Sequence, residues 1–202
     1  FKVNIATQDW HPPNHSSFAS NHVDKSPFSP TEMFYGTQVL WPDHCIQGNR
    51  GAEFHPKLML KNTDLIIRKG FRPEIDSYSA FFDNDHKTPT GLGGYLKERR
   101  INSIYLCGLA LDFCVYYSAI DGVNLDFKVN VIKDACRAIN LDGSLDIAIN
   151  DMKDKGINLI FLYLPYMEVS DNWNNYRLHS IEKNIVQYAR KCGFKNIISL
   201  TE

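Results

Sequence analysis

The chain lacks an excess of either charge. Lys and Arg number 22 against 23 Asp and Glu, for a formal net charge of −1. Without a basic stripe, nucleic acid and anionic membrane surfaces are excluded as main partners. No CxxC pair occurs, and the five cysteines are odd in number and widely spread. That pattern argues against a disulfide framework and for a reducing, cytoplasmic setting in which one thiol is used chemically. No apolar run is long enough to span a bilayer, and there is no repeat or low-complexity segment. A signal-peptide pattern is absent too. Phe1 opens directly on strand-like sequence, so the expectation is that the original N-terminus, with any targeting segment, lies upstream. What is present is 202 residues with a 44% hydrophobic fraction, enough for one domain with a sizeable core.

Apolar runs of strand length fall at residues 1–7, 64–68 (DLIIR, read as buried), 101–109, 127–132 and 157–162. Helical spacing falls at 92–100, 112–123 and 143–155, with Asp112 as a cap and Gly156 as a stop. Strands alternating with helices predict a three-layer α/β/α fold with a mostly parallel sheet. Residues 16–35, rich in Ser, Asn and Pro, read as a long surface loop; 38–60 read as irregular and 77–84 as an aromatic loop. The tail differs in character: 165–176 is polar and aromatic, 180–192 reads as a helix and 195–200 as a strand. The expected organisation is one domain over 1–164 and an extension over 165–202 that packs on it.

Ligands of parallel sheets bind beyond the carboxyl ends of the strands. Asp9, Lys69 and Cys114 all fall at or just after such ends, which predicts one shared rim. The stretch TQDWHPPNH places Asp9, His11 and His15 within seven residues, stiffened by Pro12 and Pro13. Oxygen and nitrogen donors on a stiff scaffold suit a divalent metal, although a lone D-x-H is more often a polar loop. His44, in WPDHC, offers a further imidazole, with His22 and His55 competing for that role. Trp41 offers a flat face to an aromatic ligand, against the commoner role of core packing. Cys114 sits where a strand turns into a helix, in LCGLALDFCV, where unpaired N–H groups and the helix dipole favour thiolate and can hold an oxyanion. Lys69, and with less context Arg68, reads either as a solvated strand terminus or as a cation that favours thiolate. Cys107 reads as core, and Cys45, Cys136 and Cys192 as structural.

The segments TQDWHPPNHSSFASNH, WPDHCIQGNRGAEFHP, RKGFRPEIDSYSAFFDN and GLALDFCVYYSAIDG, in this order over roughly residues 1–162, resemble the nicotinamidase/pyrazinamidase family of the isochorismatase-like cysteine hydrolases. The resemblance implies a divalent metal, zinc first with manganese or iron as alternatives, held by Asp9, His11, His15 and His44. That metal would bind the pyridine nitrogen of nicotinamide, with Trp41 lining the ring pocket. Cys114 would be the nucleophile and Lys69 the triad lysine. Backbone N–H groups of Ala110 and Cys114 would form the oxyanion hole, beside a cis Leu109–Ala110 peptide. The implied reaction is hydrolysis of nicotinamide to nicotinate and ammonia through a cysteine thioester.

Two departures accompany the resemblance. The family's triad also has an aspartate at the end of a first strand, which would lie before residue 1. Asp112 matches a family aspartate near the cis peptide, not that base. The motifs also do not clearly cover the tail after residue 165, which would suit an oligomer interface in a homo-oligomer. Competing expectations are a related cysteine amidohydrolase acting on another small amide, and an inactive protein that binds nicotinamide.

Overall fold

The computed structural model describes residues 3–58, 60–163 and 196–199. The chain divides into two compact units, Phe1–Ile101 and Asn102–Glu202.

In the first unit, β1 (Ile5–Asp9) pairs in parallel with β4 (Leu65–Lys69), in a register running from Ile5 opposite Leu65 to Asp9 opposite Lys69. The β4 strand was expected to be buried throughout. Instead it alternates: Ile67 and Lys69 are buried while Ile66 is 47% exposed. A strand covered on one face buries only every second residue. The short helix α1 (Leu92–Glu98) buries Leu92 and Leu96. Phe18, Leu40, Ile75 and Phe81 are among the buried apolar residues of this unit.

The expected surface loop over 16–35 requires correction. Ser17, Phe18 and Ala19 are buried, and β2 (Pro30–Met33) forms an antiparallel hairpin with β3 (Gly36–Val39). The polar composition concealed a single aromatic anchor. Phe18 is wholly buried, and its segment is stitched to Trp41 by bonds from Trp41 N–H to Ser17 O (2.7 Å) and from Ala19 N–H to Trp41 O (2.9 Å).

In the second unit, four parallel strands lie in the order β5 (Ser103–Leu109), β6 (Lys128–Arg137), β7 (Asn158–Tyr163), β8 (Asn196–Ser199). The strand expected over 195–200 is therefore present as β8, while the segments at 165–176 and 180–192, with Cys192, lie outside the described residues. The β6 strand runs between two neighbours and buries Val129, Asn130, Val131 and Ile132 in succession, the pattern of a strand covered on both faces. Buried Asn130 is satisfied by bonds to Ser103 Oγ, Ile104 O and Asn158 Nδ2. Helix α2 (Tyr116–Asn124) follows β5, and α3 (Ser144–Asp154) follows β6 and ends before Gly156, whose φ of 72° is the left-handed turn glycine tolerates.

Two further expectations change here. Cys107 is exposed rather than core, because side chains alternate between the faces of β5 and Cys107 shares the exposed one with Tyr105 and Leu109. Asp112 does not cap its own helix. Its carboxylate instead accepts from Ile139 N–H (3.0 Å), Asn140 N–H (2.7 Å) and Ser144 Oγ (2.5 Å), fixing the turn that leads into α3. Burial works against the charge of Asp112, but these three donors outweigh it and hold its pKa below the usual carboxylate value. Among the described residues, no helix is long and apolar enough to cross a membrane.

Candidate active site

Strand pairing positions the candidate residues of the first unit. Asp9 and Lys69 end β1 and β4 opposite each other, and Lys69 Nζ meets Asp9 Oδ1 at 2.7 Å. Lys69 Nζ also donates to Ser77 O at 2.7 Å. The chain then leaves β1 held on both sides: Trp10 N–H donates to Lys69 O (2.9 Å), and His11 N–H donates to Cys45 O (3.0 Å). The second bond lays the WPDHC segment beside the D-x-H segment, so residues distant in sequence share one site.

His11, His15 and His44 come together here. The ring centroids of His11 lie 4.6 Å from His15 and 4.7 Å from His44, and Phe18 packs against all three rings. His22 Nε2 instead bonds Ser16 O, and exposed His55 accepts from Lys57 N–H, each within its own loop. His44 is thus the imidazole that joins the pair from TQDWHPPNH.

The ring nitrogens are arranged for ligation. His44 Nδ1–H donates to Pro42 O (2.8 Å), which leaves Nε2 as the lone-pair nitrogen. His15 Nδ1 accepts from Ser17 N–H (3.2 Å) and shares a 2.8 Å bond with Ser17 Oγ. The buried atoms His11 Nδ1 and His15 Nε2 have no hydrogen-bond partner. Two orphaned buried nitrogens facing a shared cluster are costly unless something binds them. Burial pushes the His15 imidazole down to about 4, against the pull of the Asp76 carboxylate, and lowers His44 as well. Neutral imidazole is the form a metal takes. The residues present therefore fit a divalent metal.

Sequence reading missed Asp76. His11, His15 and Asp76 are all buried and offer ligand atoms within 4.8 Å of one another. Its signal was a single acid in the apolar and aromatic run IDSYSAFF. Sequence reading also missed why residue 70 is glycine. Its φ is +65°, and a Cβ there would stand 2.5 Å from His11 Nε2. Trp41 is 7% exposed and donates its Nε1–H to Tyr78 OH at 2.9 Å.

In the second unit, β5 ends at Leu109, and the Leu109–Ala110 peptide is cis, as the resemblance implied. A π-type turn over Leu111–Val115 follows, closed by Val115 N–H to Ala110 O at 3.0 Å, and leads into α2. Cys114 lies in this turn, half-buried, and its carbonyl accepts from Ser118 Oγ at 2.6 Å. A thiol one turn before a helix meets the positive end of the dipole.

Comparison with known proteins agrees with this reading. Residues 10–161 match the isochorismatase domain model. A protein called nicotinamidase from Acinetobacter baylyi is 53% identical over 160 residues, covering 79% of this chain and 75% of that protein. The solved structure of an Acinetobacter baumanii nicotinamidase/pyrazinamidase superposes with a TM-score of 0.79 at 55% identity, covering 80% of this chain and 78% of the other. A pyrazinamidase from Pyrococcus horikoshii, solved in complex with zinc, gives a TM-score of 0.62 at 30% identity, covering 79% of this chain and 75% of the other. Its mostly parallel α/β units, its motifs and these likenesses make the chain a member of the isochorismatase family, on the nicotinamidase/pyrazinamidase branch.

Proposed function

We propose that this chain hydrolyses nicotinamide to nicotinate and ammonia. The observation that carries the reading is the cluster of His11, His15 and His44, in which two buried ring nitrogens await a ligand while Pro42 O holds the outer nitrogen of His44. Asp9, His11, His15 and His44 would hold a divalent metal, zinc in the first instance, as the zinc complex of the Pyrococcus relative supports. Bound there, the ion would supply Lewis acidity toward the pyridine nitrogen of the substrate.

Trp41, fixed through Tyr78, lines the ring pocket. Cys114 is the nucleophile: its sulfur forms a bond to the carboxamide carbon while the C–N bond breaks, and ammonia leaves with the proton the thiol gave up. Backbone N–H groups of Ala110 and Cys114 hold the oxyanion of that step. Water then forms a C–O bond to the same carbon, the C–S bond breaks, and the thiol regains its proton. Lys69 stabilises the developing negative charge. We also propose that residues 165–202 extend the same domain, which the pairing of β8 with β7 supports. The cytoplasm, where nicotinamide is recycled toward pyridine nucleotides, is the proposed compartment.

The test is ammonia release from nicotinamide by the full chain and by its Cys114→Ala variant. The parent is expected to release ammonia and the folded variant to release none. Ammonia release that survives in Cys114→Ala would overturn the nucleophile.

A further inference from the structure

We propose that Asp76 is a positioning residue of the metal site: its carboxylate accepts the Nε2–H of His11 and thereby turns Nδ1 of that ring toward the ion. The inference rests on the metal reading above and concerns how one ligand is oriented.

Proximity alone leaves two roles open for Asp76, because its oxygens lie close enough to His11 and His15 to share a metal with them. The hydrogen bonds decide between them. Oδ1 accepts from Ser77 N–H at 2.8 Å and from His11 Nε2 at 3.4 Å, and Oδ2 accepts from Gln38 Nε2 at 3.1 Å. Both oxygens are therefore engaged by three donors. The atoms left over are His11 Nδ1 and His15 Nε2, buried and without partners. A carboxylate oxygen accepts, so the hydrogen of the His11–Asp76 bond belongs to Nε2, and Nδ1 is the ring nitrogen left without a partner. A carboxylate behind a ligating imidazole sets its tautomer, fixes its ring plane and raises its basicity.

The surroundings hold Asp76 to this task. Gly70 presses on the same edge of the His11 ring and leaves room for no side chain. Gln38, 2% exposed, spans from Asp76 Oδ2 to Tyr78 OH (2.6 Å), and Tyr78 OH accepts from Trp41 Nε1. The carboxylate that orients a ligand imidazole is thus tied by hydrogen bonds to the tryptophan proposed to line the ring pocket.

The experiment compares the full chain with its Asp76→Asn and Asp76→Ala variants, stripped of metal and titrated with Zn²⁺ against a chromogenic chelator. The Co²⁺-loaded proteins are also compared by visible absorption. Asn keeps the shape and an acceptor oxygen, so it stays informative where Ala fails to fold. Expected are a zinc affinity lower by about 10- to 100-fold in Asp76→Asn, and Co²⁺ bands unchanged in position and intensity, because the ligand count is the same. Zinc affinity equal to the parent in the folded variants overturns the inference alone. Altered Co²⁺ bands overturn it in favour of Asp76 as a direct ligand. A parent chain that takes up neither ion overturns the metal reading and this inference with it.

Discussion

Asp9 and Lys69 are the last residues of two adjacent parallel strands, opposite each other in register, and their side chains meet at 2.7 Å. Lys69 is buried and Asp9 is one-quarter exposed. The same cation also holds the carbonyl of Ser77, one residue beyond Asp76. One ammonium therefore braces a proposed metal ligand and the segment behind another.

Removing that cation isolates a largely buried carboxylate. Lys69→Met is expected to destabilise the chain by about 3 kcal/mol and to reduce ammonia release by at least roughly 100-fold. Denaturant melts and an ammonia assay read the two effects separately. Full activity in a folded Lys69→Met protein would remove Lys69 from the machinery.

Chelation probes the imidazole cluster directly. Dialysis against a strong chelator should abolish ammonia release, and added Zn²⁺, Mn²⁺ or Fe²⁺ should restore it, because nitrogen and oxygen donors accept all three. Elemental analysis before and after gives the stoichiometry. Activity indifferent to chelator and a chain free of metal would together sink the assignment of Asp9 and the histidines.

Gly70→Ala tests the close approach to His11. The new methyl group would collide with the imidazole, and φ of +65° is unfavourable for alanine. The expected cost is roughly 1–3 kcal/mol of stability, with weakened zinc binding in the molecules that fold. A melt and a chelator competition measure both; an unaltered zinc affinity would show that His11 tolerates displacement.

Asp112 predicts an acid limb. Its folded pKa is depressed by the three donors from 139–144, so its stabilisation is fully present above the unfolded value of 3.8 and is lost as pH falls through the lower folded value. Asp112→Asn should be less stable than the parent at pH 7 by about 2 kcal/mol, and the gap should narrow in strong acid. Parallel urea melts across that range measure it. A gap that stays constant with pH would exclude the carboxylate's charge as its source.

The local chemistry was legible from residues 5–15 and 101–124 because strand, proline and helix-start signals act over short distances. Those signals set Asp9, Lys69 and Cys114 at strand ends and singled out Cys114 at its strand-to-helix turn, while for Asp9, His11, His15 and Lys69 it was the resemblance that implied a role. The parallel α/β class was legible too, from the alternation of apolar runs. Phe18 was not, because an isolated aromatic among the polar residues of HSSFASNH carries no period. Residue types and spacing left His44 level with His22 and His55; the resemblance favoured His44, and a backbone bond between His11 and Cys45 brings its ring beside His11. The structure alone found Asp76 and the need for glycine at 70. Both depend on which side chain occupies the far edge of the His11 ring, a contact between residues about 60 positions apart that no local pattern encodes.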